Sequence, residues 1–189
     1  MPSSSRSHTD TRYRTIVADP PWQTAEGRTA PSSSWGKPRA GRVPYEKMTQ
    51  DEIAALPVGD LAADEAHIYV WTTNTYLETA YSLVRAWGFR TAQVLVWVKS
   101  PRGIGLGGAF TNTTEFVLFG WRGKCDPKTR VDSSWFHWPR GAHSVKPEAF
   151  LDLVEQVSPG PYLELFARRQ RLGWDTWGNE ALEHVSLDV

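Results

Sequence analysis

The fold is decided by residues 16–22, which read Ile-Val-Ala-Asp-Pro-Pro-Trp. The apolar triplet predicts the end of a strand. Two consecutive prolines then forbid a helix and remove two backbone N–H donors. The chain should therefore leave the strand in an extended turn whose carbonyl groups are free to accept hydrogen bonds. Because ligands of open α/β sheets bind at the carboxyl edge of the strands, we expect this turn to line a binding site.

The side chains of this turn can hold a planar group that carries an exocyclic amine. The carboxylate of Asp19 and the carbonyl of Pro20 would accept both N–H groups of the amine, while the indole of Trp22 stacks on the ring. Pro21 keeps the turn extended. An adenine base fits this description. The simpler alternative is an ordinary Asp-Pro turn beside a buried Trp, and the rest of the chain has to decide between the two.

Composition indicates a soluble globular protein with one domain. The chain has 189 residues, 40% of them hydrophobic and 22% charged, and no apolar run approaches the length of a membrane span. The start of the chain is rich in Ser and lacks the apolar core of a signal peptide. We expect a disordered tail at 1–12, a single domain at 13–189 and a cytoplasmic protein. With Cys125 as its one cysteine and no ligand spacing among five His, no disulfide and no metal site is expected.

The formal net charge of zero argues against a protein that holds nucleic acid through its overall charge. The distribution is less even, because cations outnumber acids in two segments that read as loops. The first segment carries Arg28, Lys37, Arg39, Arg42 and Lys47. The second carries Arg122, Lys124, Lys128, Arg130, Arg140 and Lys146. Each segment is either a solvated loop or a local basic rim, and the two interpretations stand about even.

Strand and helix patterns alternate along the chain, which predicts an α/β fold with a mostly parallel sheet. Strands are expected at 13–18, 67–71, 93–99, 115–119, 162–166 and 176–179. A capping box at Thr49 predicts a short helix that stops before Pro57. Thr73 and Asn74 can cap a helix at 75–87 that Gly88 ends, and Pro147 at the first helical position predicts a third helix to about Val157. Residues 23–46 and 120–142 are expected to be irregular.

Residues 103–108 can be written as G-x-G-x-x-G, the pattern of dinucleotide-binding loops. That pattern must lead from a strand into a helix, whereas here it leads toward the β-rich run at 115–119. We therefore interpret it as a flexible loop, and a nicotinamide-dependent oxidoreductase is the weakest of three functional hypotheses.

Six motifs follow one another in a recognisable order. They are Ala18-Asp19-Pro20-Pro21-Trp22, Pro44-Tyr45-Glu46-Lys47-Met48-Thr49, Trp71-Thr72-Thr73-Asn74, Trp97-Val98-Lys99, Ser144-Val145-Lys146-Pro147, and Glu164-Leu165-Phe166-Ala167-Arg168 followed by Gly178-Asn179. This series resembles the S-adenosylmethionine-dependent N6-adenine methyltransferases whose eukaryotic relatives modify adenosine in messenger RNA. The resemblance covers nearly the whole chain beyond the tail. It implies a Rossmann-like methyltransferase fold with circularly permuted motif order, in which the methyl-donor strand follows the catalytic strand.

The resemblance also implies an activity, namely methyl transfer from S-adenosylmethionine to the N6 amine of adenine in nucleic acid. The catalytic turn would consist of Asp19, Pro20, Pro21 and Trp22. The acceptor would further meet Tyr45, which helps to close over the base, and the cations Arg28, Lys37, Arg39 and Arg42, which can meet phosphates. The small size of the chain favours DNA over RNA.

For the cofactor, the family correspondence names five residues. It places Lys146 near the methionine carboxylate, Phe166 and Arg168 around the nucleoside, and Asn179 and Glu180 on the ribose hydroxyls. Glu164 is added as a cofactor residue on its own chemistry, because a half-buried carboxylate between two leucines needs a partner. Gln170 and Arg171 stand where the eukaryotic relatives have a His-Asn pair, so the contacts to the cofactor's adenine are left unassigned.

A catalytically inactive relative that serves as a nucleic-acid-binding scaffold is the alternative to an enzyme. We expect such a relative to have lost the acid or the aromatic residue of the Asp-Pro-Pro-Trp turn. Asp19 and Trp22 are both present, so the sequence favours the enzyme.

Overall fold

The computed structural model describes residues 12–22, 48–99, 109–139 and 145–178. Seven strands of this part form one sheet in the order β5-β3-β4-β2-β1-β6-β7. The strands are β1 (Tyr13–Ala18), β2 (Ala62–Thr72), β3 (Arg90–Lys99), β4 (Thr114–Arg122), β5 (Trp135–Trp138), β6 (Tyr162–Leu165) and β7 (Trp174–Trp177). The helices are α1 (Gln50–Ala54), α2 (Val58–Leu61), α3 (Leu77–Ala86) and α4 (Glu148–Val157), with a 3-10 turn at Asn74–Tyr76 before α3.

The sheet is mostly parallel, as the alternation of strands and helices predicts. β1 runs parallel to β2 on one side and to β6 on the other, and β6 and β7 are parallel as well. β4 is antiparallel to both β2 and β3, and β5 is parallel to β3. Because β1 and β6 are neighbours, the turns that follow them meet at one edge of the sheet although they lie far apart in sequence.

The sheet is covered by helices on both faces. On one face, Ile16 and Ile68 belong to a buried cluster with side chains of α1 and α3, such as Ile53 and Val84. On the other face, a second cluster combines strand residues with α4: Val17, Tyr69, Trp71, Trp97, Val117, Phe150, Leu151, Val154 and Trp174. Successive side chains of a strand point to opposite faces, so a strand covered on both sides must be apolar throughout. This requirement explains the uninterrupted apolar run at the end of β1.

Two local signals read from the sequence are confirmed. The hydroxyl of Thr49 accepts a hydrogen bond from the backbone N–H of Glu52 at 3.2 Å, and the Glu52 carboxylate accepts one from the backbone N–H of Thr49 at 2.7 Å. These reciprocal bonds are the capping box that opens α1. Gly88 has a φ of 83°, the left-handed conformation expected of the glycine that follows a helix.

Several expected boundaries are wrong. β5 is a strand inside the segment 120–142, which the sequence predicts to be irregular, because pairing with β3 stabilises a run that has weak local signals. The last strand is Trp174–Trp177 instead of 176–179. β6 ends one residue early, at Leu165, since Phe166 has a φ of 62° that no strand accommodates.

The predicted helix starts also need correction. The helix expected from 75 begins as the 3-10 turn, and Thr73 in front of it makes no side-chain capping hydrogen bond. Pro147 is the residue that precedes α4, with an extended ψ of 135°, and is not its first helical residue. Both helices are nevertheless formed, because their apolar faces pack on the sheet and this packing outweighs the missing caps.

A buried polar network attaches the end of α4 to the sheet. His67 Nε2 lies 2.8 Å from the carbonyl oxygen of Cys125, and His67 Nδ1 lies 2.7 Å from Ser158 Oγ. A carbonyl can only accept, so Nε2 carries the proton and Nδ1 accepts from Ser158. The hydroxyl of Tyr69, 2.7 Å away, then donates to Ser158. Burial lowers the pKa of His67, which agrees with a neutral ring.

Candidate active site

The Asp-Pro-Pro-Trp turn lies at the carboxyl edge of the sheet, directly beside the end of β6. Ala18 pairs with Leu165, and the backbone N–H of Asp19 donates to the Leu165 carbonyl at 3.4 Å. The two motifs that the sequence places at opposite ends of the domain are therefore neighbours. This juxtaposition follows from the strand order, since β6 inserts between β1 and β7.

One expectation about this turn is only half right. The sequence predicts free carbonyls after β1, but the Pro20 carbonyl already accepts the backbone N–H of Trp22 at 2.8 Å. The chain folds back on itself within three residues, so the turn is tighter than an extended one. A carbonyl oxygen has two lone pairs, and one of them is still available to an incoming donor.

Lys146 forms an ion pair with Asp19. Its Nζ is 2.9 Å from Oδ1 and 2.9 Å from Oδ2 of the carboxylate, and both side chains are largely buried, with exposed fractions of 23% and 17%. The ammonium group also lies 5.2 Å from the ring centroid of Trp71. Burial alone would lower the pKa of Lys146, but Asp19 and Glu115 raise it above its ordinary value. Lys146 is therefore a fixed cation.

Glu115 and Lys99 extend this ion pair into a chain of alternating charges. Glu115 lies 3.5 Å from Lys146 and hydrogen bonds to Lys99 on its other side. Burial acts to raise the pKa of Glu115, but Lys146 and Lys99 outweigh it and hold the pKa below its ordinary value. Sequence reasoning missed Glu115. The available signal was an acid at the start of an apolar strand, which a buried strand tolerates only with a partner.

Glu164 is the least satisfied polar group of the site. It lies on β6 between Val17 of β1 and Thr176 of β7, and its Oε2 is buried without a hydrogen-bond partner among the described residues. Burial raises its pKa to about 7; Arg169 opposes this rise and Asp19 adds to it. A buried carboxylate oxygen that has no partner in the described part of the chain is suited to a ligand that donates hydrogen bonds or carries positive charge.

The loop after β6 forms a tight cradle against the end of β7. Phe166 adopts its left-handed conformation there, and the backbone N–H of Ala167 donates to the Trp177 carbonyl at 3.0 Å. A Cβ atom on Gly178 would lie 2.6 Å from the backbone N and O of Ala167, so no side chain fits at that position. The cradle leaves Phe166 at the sheet edge, with its ring 5.3 Å from that of Trp177.

Arg171 anchors this loop to α4. Its guanidinium lies 2.8 Å from the Glu155 carboxylate and 2.6 Å from that of Asp152. Trp174 Nε1 donates to Glu155 as well, at 2.7 Å. Arg171 therefore has a structural partner at the position where the family resemblance left the adenine contacts unassigned.

Two contacts of its indole ring fix the position of Trp22. Its Nε1 donates to the Trp71 carbonyl at 3.1 Å, and its indole stacks on Tyr76 with ring centroids 5.3 Å apart and planes 8° from parallel. Trp22 also packs against the core cluster on the α1 and α3 side of the sheet. It is thus half-buried, and the core contact that the sequence offered as the simpler alternative is present. Stacking of Trp22 on an acceptor base stays a prediction. Tyr76 was not anticipated from the sequence.

Seven of the predicted site residues lie outside the described part of the chain. They are Arg28, Lys37, Arg39, Arg42, Tyr45, Asn179 and Glu180. Of the remaining predictions, the structure brings Asp19, Trp22, Lys146 and Glu164 to one edge, together with Phe166. In the four described ranges, no three His, Cys, Asp or Glu side chains are grouped as metal ligands. No helix within those ranges has the length and apolar character needed to cross a membrane.

A cavity of about 930 Å³ lies elsewhere, on the α4 side of the sheet and toward the start of β2. Its lining includes Tyr69, Phe119, Trp121 and Leu153. The volume suits a ligand, but neither Asp19 nor any member of the charge chain lines it. We therefore place the chemistry at the sheet edge, where titratable groups of both signs converge.

Comparison with known proteins finds one matching family and several related methyltransferases. The MT-A70 family profile matches residues 13–180. The Type II methyltransferase M.MunI of Mycoplasma sp is 32% identical over an alignment of 184 residues. The matched part amounts to 89% of this chain and 78% of that protein. The N(6)-adenosine-methyltransferase MT-A70-like protein of Drosophila melanogaster is 28% identical, with coverage of 89% and 27%. Human N(6)-adenine-specific methyltransferase METTL4 is 27% identical, with coverage of 93% and 39%. The chain thus spans most of the first relative and well under half of the other two.

Proposed function

Because the chain belongs to the MT-A70 family, we propose that it transfers a methyl group from S-adenosylmethionine to the N6 amine of adenine in nucleic acid. The observation that carries the proposal is the position of Asp19, whose carboxylate lies at the carboxyl edge of β1 beside the end of β6. This position is where an acceptor amine and a donor held by the β6 loop would meet.

Asp19 and Pro20 act on the acceptor amine. The carboxylate of Asp19 accepts one N–H, and the remaining lone pair of the Pro20 carbonyl accepts the other, which directs the nitrogen lone pair away from the ring. S-adenosylmethionine supplies a methyl group on a cationic sulfur. Holding the nitrogen in line with that methyl group can lower the barrier by ~7–11 kcal/mol without a strong base. In the transfer, the nitrogen would gain the methyl group as the sulfur–methyl bond breaks, which leaves S-adenosylhomocysteine. The nitrogen would then lose one proton, which Asp19 is placed to accept.

Lys146 and the acceptor amine would share the Asp19 carboxylate. The ammonium group contacts both carboxylate oxygens, and each oxygen keeps a further lone pair that can accept an N–H of the amine. Glu115, 3.5 Å from Lys146, holds the ammonium group from the other side. Lys146 is therefore available to a ligand carboxylate without leaving the site, as the sequence-based assignment to the methionine carboxylate requires.

The residues at the β6 edge fit a nucleoside cofactor with an amino-acid tail. The unpaired Oε2 of Glu164 needs a donor, and Lys146 offers a cation to a carboxylate. Phe166 and Arg168 lie in the loop that would surround the nucleoside, and Asn179 and Glu180 remain the proposed ribose ligands. These residues bind and orient; the reactive methyl group belongs to the cofactor.

We propose DNA ahead of RNA as the acceptor. The chain spans 78% of the Type II methyltransferase M.MunI at 32% identity, against 27% of the fly adenosine methyltransferase at 28%. A duplex acceptor has to expose the amine by flipping the base out, which costs a few kcal/mol, and stacking on Trp22 would return ~1–3 kcal/mol.

The proposal is tested with the purified protein and labelled S-adenosylmethionine. Adenine-containing DNA and RNA oligonucleotides should acquire label, whereas oligonucleotides whose adenines already carry N6-methyl groups should not. Binding of nucleic acid without any transfer would instead favour the inactive scaffold. Transfer to RNA alone would overturn the order of the two acceptors.

Trp22→Ala is expected to raise the acceptor KM about tenfold or more, because a stacked base loses ~1–3 kcal/mol when its aromatic platform is removed. Trp22→Phe should lose far less, since a smaller ring still stacks. Steady-state kinetics with varied acceptor, together with thermal unfolding, separate the two roles of the ring. Equal losses of activity in both variants would assign Trp22 to core packing alone.

Cofactor affinity is expected to rise with pH through the pKa of Glu164, about 7. A hydrogen-bond donor of the cofactor binds the ionised form of Glu164. If Glu164 is protonated before the cofactor binds, it must release that proton on binding. Affinity for S-adenosylhomocysteine should therefore increase about tenfold from about pH 6 to about pH 8 and then level off. Titration calorimetry measures this change, and Glu164→Gln should remove it. A pH dependence that persists in Glu164→Gln would locate the titration at another group.

Nucleic-acid affinity should depend on salt despite the zero net charge, because the first basic segment provides a local group of cations. Neutralising Arg39 and Arg42 together is expected to lower the slope of log affinity against log salt by about two, with cofactor affinity unchanged. The matched control neutralises Lys124 and Arg130 in the second basic segment. If neutralising Lys124 and Arg130 lowers the slope and neutralising Arg39 and Arg42 does not, the second basic segment binds the nucleic acid.

A further inference from the structure

The rings of Trp22 and Tyr76 lie flat against each other. The two ring planes are 8° from parallel, with centroids 5.3 Å apart. Most other ring contacts among the described residues are edge-on, for example Trp71 with Trp97 at 79°, whereas Phe136 with Trp138 is stacked as well, at 6°. Because Tyr76 covers one face of the indole, a flat ring that stacks on Trp22 has to take the opposite face.

Tyr76 reaches this position through a hydrogen-bonded turn at the end of β2. The backbone N–H of Tyr76 donates to the Thr73 carbonyl at 3.1 Å, which closes the 3-10 turn Asn74–Tyr76. β2 is the neighbour of β1, with Val70 opposite Ala18, so the chain segments that follow the two strands emerge side by side. The turn therefore places the Tyr76 ring against the Asp-Pro-Pro-Trp turn.

The stack completes the restraint of the Trp22 ring. The hydrogen bond from Nε1 to the Trp71 carbonyl, at 3.1 Å, fixes one edge of the indole but lets the ring rock about that bond. A parallel ring against one face removes the rocking motion. Together the two contacts set the plane of Trp22, as a base-stacking platform requires if the amine is to reach Asp19 reproducibly.

Trp71 contacts both parts of the proposed acceptor site, the Trp22 ring and the ion pair of Lys146 with Asp19. Its carbonyl holds Trp22, and its ring lies 5.2 Å from the ammonium group of Lys146, which in turn contacts Asp19. The end of β2 thus supports the stacking ring and the amine-binding carboxylate from one short segment. Tyr76 follows in the same segment, and its ring contacts Trp22.

We propose that Tyr76 is a positioning residue for the acceptor base: it fixes the plane of Trp22, and the base stacks on the opposite face to form a run of three parallel rings. The proposal rests on the proposed function, since it needs an acceptor base at Trp22. Its ligand is any flat nucleobase, because stacking depends on the ring face and tolerates differences in sequence.

The test uses three variants of the full chain. Tyr76→Leu keeps apolar volume but removes the flat ring, and it should raise the acceptor KM about fivefold, with affinity for S-adenosylhomocysteine changed by less than about twofold. Tyr76→Phe keeps the ring and should restore the acceptor KM to within about twofold of wild type. Tyr81→Leu is the matched control, because Tyr81 is a half-buried tyrosine of α3 that packs on the same core cluster.

Stacking is read directly with an oligonucleotide that carries 2-aminopurine in place of the target adenine. Its fluorescence should be quenched by the wild type and by Tyr76→Phe, and the quenching should be clearly weaker with saturating Tyr76→Leu. Tyr81→Leu should leave the acceptor KM and the quenching unchanged even if it lowers the melting temperature.

Two results would overturn the proposal. Tighter acceptor binding by Tyr76→Leu would mean that Tyr76 occupies the face that the base needs. Unchanged acceptor KM and quenching in Tyr76→Leu would mean that the stack is only packing. A wild-type protein without methyl transfer to any acceptor would refute the proposed function itself, which distinguishes that failure from failure of the Tyr76 role.

Discussion

Asp19→Ala is expected to reduce methyl transfer at least a thousandfold, a loss of about 4 kcal/mol of transition-state stabilisation. In the proposed mechanism, Asp19 is the charged acceptor for the amine, and no other described carboxylate directly follows β1. Without it, only the Pro20 carbonyl orients the nitrogen, and that carbonyl already shares its lone pairs with Trp22. Single-turnover measurements with saturating S-adenosylmethionine and acceptor report the chemical step.

The control for this prediction is cofactor binding. S-adenosylhomocysteine should bind Asp19→Ala within about tenfold of wild type, or about 1.4 kcal/mol, because Lys146 keeps Glu115 as a partner. Asp19→Asn, which keeps the shape and removes the charge, should be nearly as inactive. Retained turnover in either variant would contradict the role of the carboxylate.

Lys146→Met is expected to destabilise the fold and weaken cofactor binding together. Removing the shared cation leaves Asp19 unpaired and Glu115 with Lys99 alone. Breaking a buried ion pair costs about 3 kcal/mol at the lower end of its range, which applies here because both side chains of the Lys146–Asp19 pair keep some exposure. Affinity for S-adenosylhomocysteine should fall at least about tenfold, since its carboxylate loses a cation.

The pH dependence of this loss identifies its cause. The pKa of Glu115 is depressed, so the stability that its pairing provides is present above its unfolded pKa and is lost as pH falls through the folded one. The difference in unfolding free energy between wild type and Lys146→Met should therefore be largest at neutral pH and shrink below about pH 4. Lys124→Met, which removes an exposed lysine, should show neither effect. A difference that stays constant with pH would indicate lost packing instead of lost charge pairing.

Local sequence was enough to predict β1 and the presence of a turn after it, although not the contact of Trp22 with Pro20 that tightens this turn. The apolar run that ends at Ala18 reflects a strand buried on both faces, and the two prolines stop regular structure wherever they occur, so both signals act within a few residues. The capping box at Thr49 and the glycine after α3 are of the same kind. β5 was not predictable in this way, because its four residues gain their structure from pairing with β3.

By itself, then, the sequence determined the α/β architecture, the place of the Asp-Pro-Pro-Trp turn after β1 and the identity of the side chains that it carries. Only the tertiary structure decided how they meet. The ion pair of Lys146 with Asp19, its extension to Glu115 and the stack of Tyr76 on Trp22 each join residues from different strands and turns. Such contacts depend on strand order and register, and no pattern of neighbouring residues encodes the distance between the ends of two strands that pair only when the sheet assembles.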